Sequence, residues 1–302
     1  MIIHTDLNPV SPFESAIALG YFDGLHLAHR KIIDSVMYSS KRFIPTVFTF
    51  SLKEGENKGE GEQKSLMSLE EKLSEFEEIG IKQVWVPDFE SIKELSAEEF
   101  FHEFLVKKLR AGKLCCGFNF RFGSKNSGDI TLLKRLCDEN NIELVVIDKM
   151  EVNGEAISST AIRKYLNLGE CEKLRAMLGD YYTVCSEVVH GRGLGSKLNF
   201  PTINQTFSSD KALPRYGVYI SKVEIDGRVL PAITNIGIKP TVGGKVPCSE
   251  THLIDFSGDL YGEKLKVKLI KFLRDEVAFE NVNCLKEAVE RDISYAREYF
   301  SK

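Results

Sequence analysis

The hydrophobic period of this chain changes near residue 180, and that change limits the folds open to it. Up to about Gly179, short apolar runs alternate with stretches of helical spacing. Ala16 to Leu19, Pro45 to Phe50, Val84 to Val86, Leu114 to Gly117 and Glu143 to Ile147 read as strands. Between them the segment from Leu27 to Met37, Leu69 to Ile79, the run capped by Ser96 and Glu99, and Ile130 to Cys137 carry apolar residues at helical intervals. Strand–helix alternation implies a parallel sheet with helices on both faces. Beyond Asp180 the pattern differs. Val218, Ile220, Val223 and Ile225 alternate with polar residues, Asp226-Gly227 signals a hairpin turn, and Leu265, Val267 and Leu269 alternate with lysines. These are expected to be antiparallel strands with one wet face. A final helix places Leu285, Ala288, Val289, Ile293, Ala296 and Phe300 on one stripe. The expectation is an α/β domain over residues 1–180, then a small antiparallel β-barrel closed by a C-terminal helix over residues 181–302.

Composition narrows the function classes. A net charge of −4 argues against broad binding to nucleic acid or to a membrane surface. No apolar run is long enough to span a bilayer, and the N-terminus, with Asp6 and no basic-then-apolar block, does not read as a signal peptide. The seven cysteines have no CxxC spacing. They are expected to be reduced packing residues of a cytoplasmic protein. Lys53 to Lys64 (KEGENKGEGEQK) is too polar to build a core. It reads as a solvated surface insertion, with a lid over a nucleotide site as the alternative.

Four stretches carry chemistry. The first is Gly20-Tyr21-Phe22-Asp23-Gly24-Leu25-His26-Leu27-Ala28-His29, between the strand ending at Leu19 and a helix. Gly20 and Gly24 permit a tight turn. A helix N-terminus attracts anions, and His26 and His29, three apart, would add donors on one face of its first turn. The second is Gly117 to Gly123 (GFNFRFG), where Asn119 and Arg121 stand among aromatic residues. The third is Ile157 to Arg163 (ISSTAIR), where Ser158, Ser159 and Thr160 are N-caps or phosphate donors, with Arg163 one turn on. The fourth is the glycine-rich His190 to Lys197, followed by Pro201-Thr202-Ile203-Asn204. Its spacing does not match GxGxxG, but Gly191, Arg192, Gly193, Gly195 and Lys197 suit a polyphosphate.

In their order, these motifs resemble the bacterial bifunctional riboflavin kinase/FMN adenylyltransferase (FAD synthetase) family. GYFDGLHLAH is similar to GxFDGxHxGH, GFNFRFG to GFDFRFG, ISSTAIR to ISSTxIR and PTIN to PTAN. The resemblance runs from Ala18 to the last helix. It implies a Rossmann-like nucleotidyltransferase domain and a riboflavin kinase barrel, with riboflavin, FMN and ATP as small-molecule substrates. It implies Mg²⁺, carried with ATP, on Thr202 and Asn204, and Glu250 as general base on the ribityl 5′-hydroxyl. His26, His29 and Arg163 would stabilise charge on the transferring phosphate. Gly20, Phe22, Asp23, Gly24, Asn119 and the 158–160 hydroxyls would contact ATP, and Arg121, Tyr261 and Arg274 the flavin. The chain departs from the pattern at Ala28, where the family has Gly, and at Ser51-Leu52-Lys53, where the family has a Pro-containing motif. Both departures keep open an alternative: a riboflavin kinase alone, with a degenerate N-terminal nucleotide-binding module. A flavin or nucleotide sensor without turnover is a third reading, which the retained Glu250, Thr202 and Asn204 oppose.

Overall fold

The computed structural model describes residues 1–52, 64–191, 200–241 and 244–301. By internal packing the chain divides into two units, Met1–Ser159 and Thr160–Lys302.

The first unit is built on a six-stranded parallel sheet. Its strands are β1 (Ile2–His4), β2 (Ser15–Leu19), β3 (Ile44–Phe48), β4 (Gln83–Trp85), β5 (Ala111–Gly117) and β6 (Glu143–Ile147), in the order β1-β4-β3-β2-β5-β6. The central strand β2 is buried along its whole length, as expected of a parallel strand covered on both faces. Its side chains alternate between two cores. Ile17 and Leu19 join Phe100, Phe104, Leu133 and Leu136 on one face, and Ala16 and Ala18 join Ile32, Ile33, Val36 and Phe76 on the other. Helices α1 (Leu27–Met37) and α2 (Leu69–Ile79) cover the second face, and α4 (Ile130–Glu139) helps to cover the first. The helix after Ser96 has the expected capping box with Glu99. It is α-helical only over Ala97–Glu99 (α3) and continues as a π-helix, Phe100–Lys108. Phe100, Phe101, Phe104 and Leu105 of that segment are buried. A short hairpin, β7 (Glu151–Val152) with β8 (Glu155–Ala156), precedes α5 (Ser159–Leu168).

The second unit contains a six-stranded antiparallel sheet and α6 (Cys171–Leu178). Strands β9 (Tyr182–Glu187), β10 (Thr202–Thr206), β11 (Gly217–Ile225), β12 (Arg228–Thr241), β13 (Gly244–Leu253) and β14 (Lys264–Arg274) follow the order β10-β13-β12-β11-β14-β9. A bridge between Val189 and Asn204 brings the two edges together, so the sheet curls into a barrel. Asp226 and Gly227, both at positive φ, turn the hairpin between β11 and β12, as the Asp-Gly signal requires. The inner face carries a polar row across three strands: Ser221, Thr234 and Thr251 form a buried hydroxyl ladder with spacings of 2.7 and 2.8 Å. On the outer face α7 (Val282–Ser301) sets Ala296, Ile293 and Phe300 against Val218, Ile220 and Ile233.

No helix among the described residues is long and apolar enough to cross a membrane. All seven cysteines are free.

Candidate functional sites

In parallel sheets of this kind ligands bind beyond the carboxyl ends of the strands. The Gly20–Gly24 turn leaves β2 at that end. Phe22, Gly24 and Leu25 all have positive φ, a cluster of strained backbone of the sort held only where the surroundings over-determine it. The surroundings here do so. Phe22 is fully buried, edge-on to Phe76 and to His29. The Asp23 carboxylate accepts the Leu66 N–H at 2.8 Å and the Met67 N–H at 3.4 Å, and the Asp23 carbonyl accepts the Ser159 hydroxyl at 2.9 Å. The Tyr21 carbonyl accepts Thr49 Oγ1 at 3.2 Å and Lys72 Nζ at 3.3 Å. A side chain at Gly24 would meet Leu66 at 2.8 Å.

His26 does not sit in the first helical turn, as its spacing from His29 suggested. It is the N-cap of α1, with extended backbone, and its Nδ1 accepts the His29 backbone N–H at 3.3 Å. The two imidazoles stack with centroids 3.6 Å apart. His26 is 5% exposed, and burial pushes its pKa down to about 4. It is therefore neutral at pH 7, and because Nδ1 is an acceptor, the ring proton resides on Nε2. The result is a neutral Nε2–H donor at a helix N-terminus, whose own N–H groups and dipole favour an anion.

The other predicted residues of this unit are placed as follows. Asn119 is exposed in the turn after β5, next to β2, with its carboxamide beside Gly117. Arg121 faces Asp129 at 3.7 Å. Of the neighbouring aromatics, Phe118 is exposed but Phe122 belongs to the core. Ser158 and Ser159 are half-buried at the start of α5, and Ser159 is tied to the turn through Asp23. Thr160 and Arg163 continue α5 within the second unit. The insertion expected at Lys53 to Lys64 falls, but for Lys64, outside the described residues, and so do Arg192, Gly193, Gly195 and Lys197.

In the second unit the strand register assembles a row. Asn204 lies opposite Glu250, Glu250 opposite Asn235, Asn235 opposite Val218, and Val218 opposite Arg274. Residues directly opposite in an antiparallel pair share a face, so Asn204 and Glu250 stand side by side, and Thr202, two residues before Asn204, shares their face. Asn204 Nδ2 donates to the Thr202 carbonyl at 3.3 Å. Gly191 packs directly against the Asn204 carboxamide, and a side chain there would collide with it. The neighbouring His190 ring stacks on Tyr261 at 3.8 Å. Asn235 donates to Glu276 at 3.1 Å. Tyr261, Gly191, Thr202, Asn204 and Glu250 are thus brought together. Arg274 is held by Asp292 of α7, with Nη2 to Oδ2 at 2.7 Å and Nε to both carboxylate oxygens.

Sequence reading missed Lys72 and Thr49 as neighbours of these sites. Lys72 left a signal: it occupies the apolar stripe of α2, three residues after Leu69 and four before Phe76, where a surface lysine has no place.

Comparison with known proteins agrees with both halves of this arrangement. A family model described as FAD synthetase matches residues 9–161, and one described as riboflavin kinase matches residues 178–300. Curated relatives named bifunctional riboflavin kinase/FMN adenylyltransferase include those of Buchnera aphidicola, 34% identical over 95% of this chain and 94% of the relative, and Bacillus subtilis, 31% identical over 95% and 93%. That of Escherichia coli K12 is 34% identical over 94% and 92%. A solved structure described as a macrolide-efflux protein from Streptococcus pneumoniae shares the fold, with a TM-score of 0.85 at 25% identity over 98% of this chain and 99% of that one.

Proposed function

Because the chain belongs to the bifunctional riboflavin kinase/FMN adenylyltransferase family, we propose how its residues divide the two reactions, riboflavin to FMN and FMN to FAD. Adenylyl transfer is assigned to residues 1–180 and the kinase to 181–302. The compact units divide earlier, at Ser159, with α5 and α6 grouped with the barrel.

In the kinase, the riboflavin 5′-hydroxyl oxygen attacks the ATP γ-phosphorus, its proton passes to the Glu250 carboxylate, and ADP leaves. Thr202 and Asn204 would hold Mg²⁺. Their neutral side-chain oxygens, on one strand beside a carboxylate, suit a hard cation that takes its other ligands from phosphate and water. No trio of His, Cys, Asp or Glu suited to a metal occurs among the described residues, so the proposal rests on that oxygen pair. The ion, when bound, neutralises charge on the phosphates. Gly191 packs beside Asn204 at the start of the phosphate loop, with Arg192, Gly193, Gly195 and Lys197 in its continuation. Tyr261 and Arg274 border the flavin.

In adenylyl transfer, an FMN phosphate oxygen attacks the ATP α-phosphorus, the bond to the β-phosphate breaks, and pyrophosphate leaves. This step needs no general base. It needs donors fixed where negative charge builds. The neutral His26 Nε2–H, His29 and the free N–H groups of α1 supply them, with Arg163 as the added cation. Gly20, Gly24, Asn119 and the 158–160 hydroxyls contact the nucleotide. Phe22 and Asp23 support it from beneath, since both are buried and committed to the turn. Arg121 faces the FMN. The cysteine pattern of the sequence, seven with no CxxC spacing, supports assigning the protein to the cytoplasm.

The observation that carries the bifunctional reading over a kinase alone is the intact His26–His29 pair at the N-terminus of α1. Incubation with riboflavin, ATP and Mg²⁺, with FMN and FAD separated, tests it. FAD is expected to accumulate, also when FMN is supplied. FMN without FAD would return the degenerate-module alternative.

A further inference from the structure

Lys72 has no part in the roles above, yet it is the most buried lysine among the described residues, 2% exposed. It lies where a leucine or methionine would pack, and burying an ammonium is unfavourable unless specific partners offset it. Its partners all belong to the turn. Nζ donates to the Tyr21 carbonyl at 3.3 Å and stands 3.9 Å from the centre of the Tyr21 ring. The Asp23 carboxylate favours its charged form. Thr49 donates to the same carbonyl from the end of β3. One peptide in the middle of a strained turn is thus held by donors from two separate elements.

We propose that Lys72 is a positioning residue for adenylyl transfer: its ammonium fixes the Tyr21 carbonyl and ring, and through them the backbone that presents His26 and the α1 N-terminus to the α-phosphate. The inference rests on the assignment of that reaction to the Gly20–His29 turn. Charge matters to this role, because the cation–ring attraction disappears and the hydrogen bond weakens when the amine is neutral. Burial lowers the Lys72 pKa to about 8, against the opposing pull of Asp23. The other ionisable groups on the surrounding elements are Tyr21 in the turn, His26, His29, Arg30, Lys31 and Asp34 on or capping α1, and Glu70, Glu71, Glu75, Glu77 and Glu78 on α2. Arg30 is paired with Glu75 at 3.6 Å, and Glu71 accepts the Ser68 N–H. The rate of FAD synthesis should therefore fall as pH rises through about 8, while FMN synthesis by the same molecule does not share that limb.

The test is the pH profile of both reactions from 6.5 to 9.5, in the native protein and in Lys72→Met, which keeps the volume and removes the charge. The native protein should show the alkaline limb in FAD synthesis alone. Lys72→Met should lose on the order of 10- to 100-fold in kcat at pH 7, with little change in KM for FMN, and its residual rate should lack the limb. Full FAD turnover in a folded Lys72→Met, or the same limb persisting in it, would overturn the proposal. If the first unit of Lys72→Met does not melt cooperatively, the native profile decides alone, and no alkaline limb overturns the proposal. His29→Ala separates this from the site assignment. Loss of FAD synthesis there with none in Lys72→Met refutes only the role of Lys72, whereas no loss in either refutes the placement of the reaction.

Discussion

The two candidate sites are made in opposite ways. In the first unit the proposed site rests on a turn whose parts are buried and tied down: Phe22, Asp23, His26 and Lys72 are all within the protein, and the bonds of the turn run to α1, α2, the end of β3 and α5. In the second it is carried by a row across a sheet, Asn204 beside Glu250, whose position follows from strand register alone. The first site is specified by contacts that distant segments must all supply. The second is specified by a ladder that would exist with other side chains in place. Substitutions in the first should therefore disturb folding and activity together, and in the second activity alone.

The sharpest way to break that comparison is a pair of alanine variants. Glu250→Ala should lower FMN synthesis by about 10²–10⁴-fold, the usual worth of a general base, while melting and FAD synthesis from supplied FMN stay as in the native protein. His29→Ala should lower FAD synthesis by about 10²–10³-fold, as loss of one transition-state donor does, and leave FMN synthesis intact. Separated product assays read both, and a variant that loses both activities would contradict the division. A second difference should appear in acid. The His26 pKa is about 4 in the folded chain and near 6.5 when unfolded, so between these values the unfolded state binds more protons. The stabilisation is complete above pH 6.5 and is lost as pH falls toward 4, by about 3 kcal/mol in all. Melting of the first unit should show this slope, and His26→Asn, which caps the helix without titrating, should flatten it. Smaller still, Asn204→Ala should raise the Mg²⁺ concentration needed for half-maximal kinase rate by roughly tenfold or more, with FAD synthesis unchanged. A rate loss independent of Mg²⁺ would remove Asn204 from the metal. The smallest effect is expected at Ala28, in the first turn of α1. Ala28→Gly should cost about 0.5–1 kcal/mol of stability and lower the apparent KM for ATP only modestly. A native protein without FAD synthesis that gains it on this change would show that the methyl group blocks the site.

Much of the fold was legible because it is periodic. Ala16 to Leu19 announces β2 as an uninterrupted apolar run, and Val218 and Ile220 announce β11 through their spacing. Strand β1, at three residues, and α6, at eight, are too short for a period to show. The sites were legible in residue type and less so in role. Asp23 reads as a nucleotide contact, yet its carboxylate is taken up by backbone N–H groups 43 and 44 residues further on, a partnership no local pattern encodes. His26 reads as a helix residue, but its ring nitrogen competes successfully for the His29 N–H and stops the helix there. Lys72 hid behind its type, since lysine in a helix is ordinarily a solvated residue.

The topology of the barrel also sets an order of events during synthesis. Strand β9 has β14 as its ladder partner, and the two are separated by most of the second unit. The outer face of β11 and β12 is covered by α7, later still. The parallel sheet of the first unit, by contrast, has all its strands by Ile147. As the chain leaves the ribosome, the parallel sheet has all the strands it needs to close while the barrel still holds an unpaired strand edge and bare apolar side chains. A pause or truncation anywhere between Tyr182 and the last helix would thus leave a closed parallel sheet joined to a sticky, unfinished barrel.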